Sequence, residues 1–265
     1  MPLTPARLPS GVSGARKPTD LWGQFGWNTI NPAANSYFND FNTYVAGDWT
    51  VAPATGTSAL TAGLGGNLTL TTGGAGGNGQ GNALTPVSFA FTAGYQTWFS
   101  ITFTCADNSN PNWVVGLTAG GASAPTSGVY FTKATAVRTV SVVLNKAGTS
   151  TTIATTTSQI NALDATALSL GIYYDGKAVP SLHIFSSTGL IGSTAAPSPT
   201  AYGAPPVYGG ADTGLSIGSD PNAANPLTNL PTVNLQPSFF IQTNTAAAKT
   251  MVVDYVWAAC EINRF

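Results

Sequence analysis

Charge is the scarcest feature of this chain of 265 residues. Nine basic and ten acidic residues make up 7% of it, for a net charge of −1, where an ordinary soluble domain carries about 25% charged residues. Basic residues this few and this dispersed build no phosphate-neutralising patch, which excludes a generic nucleic-acid binder. Histidine occurs once, at His183, and glutamate once, at Glu261. A single histidine excludes the HExxH zinc motif and leaves any zinc site short of its usual ligands. The two cysteines, Cys105 and Cys260, lie far apart with no CxxC spacing. Buried free thiols are the expected state, with a cross-strand disulfide as the minority alternative. No apolar run approaches the length of about 18 residues that marks a membrane span. The opening MPLTPARLPSGVSGARKPTD lacks the apolar centre of a secretory signal, so synthesis in the cytoplasm is expected, which argues further against a disulfide.

These shortages also limit catalysis. Glycoside hydrolysis needs two carboxyl groups, one protonated and one ionised, flanking the scissile bond. With one glutamate and nine scattered aspartates, no pair sits i, i+2 on a strand to share a face. Only tertiary contact between aspartates leaves that route open. A Ser-His-Asp triad would have to use His183, within Ser181-Leu182-His183-Ile184-Phe185, and no GxSxG elbow exists anywhere. His183 therefore reads as a packed or surface strand histidine. Gly73 to Gly81 is glycine-rich but lacks the GK[ST] ending of a phosphate-binding loop and a following helix, so it reads as a mobile or tightly turning loop. Asp107-Asn108-Ser109-Asn110 is rich in oxygen ligands. Without regular aspartate spacing and a distal glutamate it reads as a turn rather than a calcium loop. Asn67-Leu68-Thr69 fits the glycosylation sequon, which has no consequence without secretion. No catalytic residue, cofactor or metal is expected, and the chain reads as non-enzymatic.

What the chain does have is apolar and neutral polar material. Hydrophobics stand at 43% and aromatics at 10%, a composition too apolar for disorder. A chain of this mass buries about 70% of its unfolded surface. Solubility falls to Thr, Ser, Asn and Gly, whose hydroxyl and amide surface packs against partners without desolvating charges. Short β-rich runs dominate. Phe99, Ile101, Phe103 and Cys105 alternate with Ser100, Thr102 and Thr104, and Leu68 and Leu70 alternate with Thr69 and Thr71. Val129 to Phe131, Val140 to Leu144, Leu168 to Tyr174, Leu182 to Phe185, Ser238 to Gln242 and Met251 to Trp257 are further strand candidates. Asp175-Gly176, between two apolar runs, is the strongest signal for a two-residue type I′ hairpin. Lys146-Ala147-Gly148 is another turn signal. No helical period extends over 11 or more residues, the nearest being the short stretch from Ser158 to Leu168. The fold class expected is an all-β sandwich of the jelly-roll kind. The aromatics Trp49, Trp98, Trp113, Tyr173, Tyr174, Tyr202 and Tyr208 are candidates for a sugar-stacking platform, but most sit in predicted strands, where core packing is the stronger reading.

Two segments interrupt the strand rhythm. Residues 1–36 carry Pro2, Pro5, Pro9, Pro18 and Pro32 and read as an extended N-terminal arm, mildly basic through Arg7, Arg16 and Lys17. Leu21, Trp22, Phe25 and Trp27 give it apolar anchors for binding a partner. The arm either packs back on its own domain or lies across a neighbouring subunit. Residues 192–232, with seven prolines among Gly, Ala, Ser and Asn, read as a long Pro/Gly-rich loop insertion in a sandwich spanning 37–265.

The chain resembles a family of tailed-phage virion structural proteins with a concanavalin-like jelly-roll fold, often described as head decoration proteins. The resemblance rests on Tyr37-Phe38-Asn39-Asp40-Phe41, Asp48-Trp49-Thr50, Leu68 to Gly73, Trp98-Phe99, Val115-Gly116-Leu117 and Gly128 to Phe131. It continues through Leu170 to Gly176, Leu235 to Phe239 and Ala247 to Val256. Each motif is weak alone; their order and spacing cover most of 37–265. The resemblance implies a capsid decoration or cement protein on the capsid exterior, made in the host cytoplasm. Its implied partners are the major capsid protein and further copies of itself, as a dimer or trimer, with no nucleic acid and no membrane. The alternative from the same residues is a tail-fibre or host-attachment module that binds surface glycans.

Overall fold

A computed structural model describes residues 34–62, 66–85, 88–154, 160, 162–178, 180–186, 211–217 and 227–261. Two antiparallel sheets pack face to face as a β-sandwich of the jelly-roll class. One sheet has eight strands: β1 (Ala34–Asn39), β3 (Thr57–Thr61), β4 (Asn67–Thr71), β6 (Thr97–Cys105), β11 (Ala167–Tyr174), β12 (Leu182–Ser186), β13 (Ala211–Ile217) and β15 (Thr250–Glu261). Their order is β13-β12-β11-β6-β15-β4-β3, and β1 pairs with the far end of β15. The other has seven: β2 (Trp49–Ala54), β5 (Gly79–Leu84), β7 (Asn112–Ala119), β8 (Ser127–Lys133), β9 (Ser141–Lys146), β10 (Thr149–Ala154) and β14 (Gln236–Gln242), in the order β10-β9-β8-β7-β14-β5-β2.

The period-2 alternation read in the sequence sets the inner faces. Phe99, Ile101, Phe103 and Cys105 of β6 point between the sheets, as do Trp113, Val115 and Leu117 of β7 and Leu68 and Leu70 of β4. Aromatic contacts lock the layers. Phe103 meets Trp113 edge-on across the sandwich at 5.1 Å. Phe239 sits 5.2 Å from Trp49 and 6.1 Å from Phe41. Both cysteines are buried free thiols, and burial pushes the Cys105 thiol up to about 12.

Several sequence readings change in the structure. β1 begins at Ala34, so the sandwich starts inside the segment read as an arm of 1–36, and Leu21, Trp22, Phe25 and Trp27 lie outside the described residues. Strand β13 falls within the 192–232 stretch read as a loop insertion; Tyr202 and Tyr208 lie outside the described residues. The glycine run is not all loop, because Gly79–Leu84 is a strand with every residue buried. The glycines are needed there. A Cβ on Gly79 would meet the Phe240 ring at 2.6 Å and one on Gly81 the Ala52 carbonyl oxygen at 2.6 Å, while Gln80 and Asn82 turn inward to bond Ser58 across the sandwich. The same device recurs at Gly116, where a Cβ would meet Tyr130 Cα at 2.5 Å.

The hairpin signals also exchange roles. The two-residue turn is Ala147-Gly148, flanked by the Lys146–Thr149 pair, with φ of 51° and 85° as type I′ geometry requires. Asp175-Gly176 does join paired strands, but through the seven residues between Tyr174 and Leu182. Asp175 is held there by Ser181 rather than by a tight turn.

Phe239→Ala is expected to cost about 3–5 kcal/mol, the range for removing a core aromatic ring. Gly116→Ala, at a buried position of β7, is expected to cost about 1–3 kcal/mol through overpacking against β8. Chemical denaturation midpoints of the two variants check both.

Candidate functional site

Among the described residues, three places bring chemistry-bearing side chains together: the outer face of the eight-stranded sheet, the hairpin around His183, and the charged loops at one end. The outer face depends on a β-bulge. The β15–β6 register shifts between Val253 and Tyr255, so Met251 and Val253 point into the core before it and Val256, Ala258 and Cys260 after it. The extra residue, Asp254, turns Tyr255, Trp257 and Ala259 outward. They join Trp98 of β6, Tyr173 of β11 and Phe185 of β12 in one cluster. Trp98 stacks on Tyr173 at 5.6 Å, Tyr173 on His183 at 5.7 Å, and Phe38 leans on Tyr255 at 6.3 Å. Tyr255 shares a 3.2 Å hydrogen bond with Ser100. These rings are largely closed to solvent: Trp98 is 2% exposed, Trp257 3% and Tyr173 6%. Burial, then the nearby Asp175 and Glu261 carboxylates, pushes the Tyr173 hydroxyl up to about 12.

Core packing was the sequence reading for the tryptophans and tyrosines. Trp49, Trp113 and Tyr174 do lie between the sheets, but Trp98 and Tyr173 face the other way. Strand parity decides this: Trp98 precedes inward Phe99 and Tyr173 precedes inward Tyr174.

The single histidine does sit beside a serine and an aspartate. Ser181 donates its hydroxyl proton to Asp175 Oδ2 at 2.9 Å and lies 2.9 Å from His183 Nε2. Asp175 also accepts from the Ser181 backbone N–H at 2.8 Å and pairs with Lys177 at 3.2 Å. Burial pushes the Asp175 carboxyl up, but the Ser181 and Lys177 donors outweigh it and hold it below the usual range. The wiring is not that of a catalytic triad. There the aspartate supports the histidine and the histidine takes the serine proton; here the serine lies between the two and gives its proton to the carboxylate. The arrangement shapes the turn.

The third place gathers charge. Asp107 Oδ1 accepts from the Ser109 N–H at 2.7 Å and the Asn110 N–H at 3.3 Å. Its Oδ2 accepts from Asn110 Nδ2 at 2.8 Å and Lys249 Nζ at 2.6 Å. This is the turn read in the sequence, with the Lys249 ammonium at the carboxylate; that lysine, some 140 residues away in sequence, had no signal there. Asp164 accepts from the Asn108 N–H at 2.6 Å and pairs with Arg138. The Lys249 bond first, then the Asn110 and Ser109 donors, hold Asp107 far below the usual carboxylate range against burial. Asp164 is likewise lowered, first by Asn108. Lys133 is fully buried, with its ammonium donating to the Pro111 carbonyl at 2.5 Å and the Ala134 carbonyl at 3.0 Å. Burial pushes it down to about 8.

Neither Asp107 nor Asp164 serves as a proton donor at neutral pH, which glycoside hydrolysis requires of one carboxyl. Asp254, at the bulge, is raised by burial and then by Asp40, but Asp40 is bonded to Asn42 at 2.6 Å. Neither lines the small cavity bounded by Asn35, Tyr37, Asp48, Thr85 and Phe89. Among the described residues no group of three or more His, Cys, Asp or Glu side chains is placed to hold a metal ion.

The sequence matches no family model and no curated protein. Solved structures are similar in fold. An endo-1,3-beta-glucanase from Streptomyces sioyaensis aligns at a TM-score of 0.54 and 9% identity over 88% of this chain and 98% of its own. A protein of unknown function from Shewanella oneidensis MR-1 aligns at 0.52 and 12% identity over 86% and 87%. Arcelin-5, a lectin-like defence protein from Phaseolus vulgaris, aligns at 0.49 and 11% identity over 86% and 98%. At such identities the likeness is one of fold alone.

Asp107→Asn is expected to lower stability at neutral pH by roughly 1–3 kcal/mol, the range for leaving a charged partner's bonds unmade. Because the folded carboxyl is lowered, the Asp107 contribution is complete above the ordinary value of about 3.9 and is lost as pH falls below it, so denaturation in acid converges for the two proteins. Lys133 gives a slope of the same sign in the alkaline range. Its folded value of about 8 lies below the unfolded value of about 10.4, so the unfolded state binds more protons in between. Wild-type stability relative to Lys133→Met is expected to rise as pH climbs through that window, as read by urea titrations.

Proposed function

We propose that the chain is a capsid decoration (cement) protein of a tailed phage, a non-catalytic sandwich that binds the outer surface of the major capsid shell in many symmetric copies. One observation carries the reading: charge is sparse, at 7% of the chain, and three of the five basic side chains of the described sandwich are paired locally. Arg138–Asp164, Lys249–Asp107 and Lys177–Asp175 are ion pairs within the chain, and Asp48, Lys146, Asp254 and Glu261 are the exposed charges outside them, on a surface otherwise rich in hydroxyls and amides. Such a surface tiles against a shell, or against further copies of itself, without desolvating unpaired charge, each instance of which costs several kcal/mol. A standard interface of about 800 Å² per partner is within reach of either broad sheet face.

The competing reading is a tail-fibre or host-attachment module that binds surface glycans. It requires aromatic faces open to a sugar. Among the described residues, the largest aromatic cluster outside the core has Trp98 and Trp257 at 2% and 3% exposure, which supports packing over sugar stacking.

Cryo-EM of particles carrying the protein tests the proposal. Density on the capsid exterior in a copy number set by the shell symmetry is expected. Density confined to the tail, or saturable binding on a glycan array without shell association, would overturn it.

A further inference from the structure

A sheet edge presents a row of unpaired N–H and C=O groups, and folded proteins blunt it with charge, proline, a bulge or a covering element. The two sheet paths end in β13 and β3, and in β10 and β2. Three of these ends are blunted. β13 pairs with β12 through a register shift, and β2 carries Pro53 and a register shift against β5. β10 has the 3-10 turn Leu227–Asn229 beside it, with Asn229 bonded to Thr151. β3 has none of these devices. Thr57–Thr61 pairs evenly with β4, contains no proline, and lies within a stretch from Trp49 to Ala106 that holds no charged residue. Thr57, Ala59, Leu60 and Thr61 are exposed, Leu60 at 45%. We propose that β3 is a dimerisation edge. It pairs antiparallel with β3 of a second copy of this chain, about a two-fold axis at Ala59, and joins the two eight-stranded sheets into one.

The alternation of the ladder fixes this register. Thr72 donates its N–H to the Lys249 carbonyl at 2.9 Å, so Leu70 and Leu68, in phase with Thr72, direct their backbone groups to β15. Thr71, Thr69 and Asn67 then bond to Thr57, Ala59 and Thr61, which leaves the N–H and C=O of Ser58 and Leu60 aimed away from β4. Two residues of that phase, one on either side of Ala59, are self-complementary. Ser58 of each copy meets Leu60 of the other, and four N–H···O=C bonds form. Ala59 faces its own counterpart across the axis as a non-hydrogen-bonded pair. There the Cα atoms approach to about 4.5 Å, and a small side chain fits.

Side-chain chemistry selects the same partner. The edge offers no charge to a charged strand, so its match is a strand equally neutral and rich in threonine. On the outer face Thr57 meets Thr61 of the second copy. This repeats the pairing that β3 already makes with β4, where the Thr61 and Thr69 hydroxyls bond at 2.9 Å, and threonine pairs of this kind support a ladder. On the inner side Ser58 is held by Gln80 and Asn82, which fixes the edge in position before a second copy arrives. A two-fold contact of this sort is isologous and closes on itself, so pairing stops at two. The pairing needs no shell and does not rest on the proposed capsid role. A monomeric protein that still decorates shells would sink this inference alone.

Disulfide trapping on the full chain tests it. Ala59→Cys places two thiols across the axis at a Cα separation within the disulfide range of about 4.4–6.8 Å, and the native Cys105 and Cys260 are buried. In a glutathione redox buffer this variant is expected to run largely as a covalent dimer on a non-reducing gel. The two copies of residue 57 lie about 14 Å apart, four steps at ~3.4 Å each. Thr57→Cys is therefore expected to give several-fold less dimer, and Thr57→Cys combined with Thr61→Cys to restore it. Leu60→Pro removes an outward N–H and leaves the β4 ladder intact. Sedimentation velocity is expected to show the wild type as a dimer and Leu60→Pro as a monomer. Equal crosslinking at residues 57 and 59, or a wild-type protein that stays monomeric, overturns the proposal. Should Leu60→Pro not fold, the cysteine variants, which change only exposed side chains, decide alone.

Discussion

The eight-stranded sheet depends on β15 and on the one residue of slippage within it. This strand pairs with β4 over its first part, with β1 over its last part and with β6 along nearly its whole length. It thereby ties the first strand of the sandwich to the last. Strict alternation over twelve residues would send Tyr255 and Trp257 into a core already filled by Phe99, Ile101 and Phe103. The bulge at Asp254 resets the parity midway, placing small Ala258 and Cys260 inside and the large rings outside. One inserted residue thus fixes both the packing of the core and the aromatic character of the outer face.

The opposite sheet solves a related problem with glycine. Where the Phe240 ring packs on its outer face, the strand beneath offers Gly79 and Gly81 in place of side chains, and Gly116 makes room for the β8 backbone at Val129-Tyr130. Glycine in a strand forfeits cross-strand side-chain contacts; at Gly79 and Gly81 the Phe240 ring supplies the missing contact. Val114, Val143, Ala83 and Ala122 complete a second apolar layer outside the core. Both faces of the sandwich are therefore more apolar than a solvated antiparallel sheet requires.

Scarce charge is spent on local order. Asp107, Asp164 and Asp175 each bind backbone N–H groups of a turn and one cationic side chain. Each carboxylate is neutralised where it sits, and little field extends beyond it. The buried Lys133 ammonium is held by carbonyl groups alone, which ties the start of β7 to the end of β8.

The sequence by itself determined the class of the fold and the identity of most central strands. Alternation along β4 and β6 and apolar runs at β8, β9, β11, β12, β14 and β15 are local signals, written in consecutive side chains. It also limited catalysis, because residue types that are missing cannot be supplied by folding. It did not reveal β5, whose glycines are explained only by Phe240, from a strand over 150 residues away, and by the Ala52 carbonyl of the neighbouring strand, nor which of two turn signals made the tight hairpin. Only the tertiary structure decided that Trp98 and Tyr173 face outward and that Lys249 closes the Asp107 turn. It alone showed Ser181 standing between Asp175 and His183. Each depends on strand register, and register is set by partners distant in the chain and by a bulge that leaves no mark on the sequence around it.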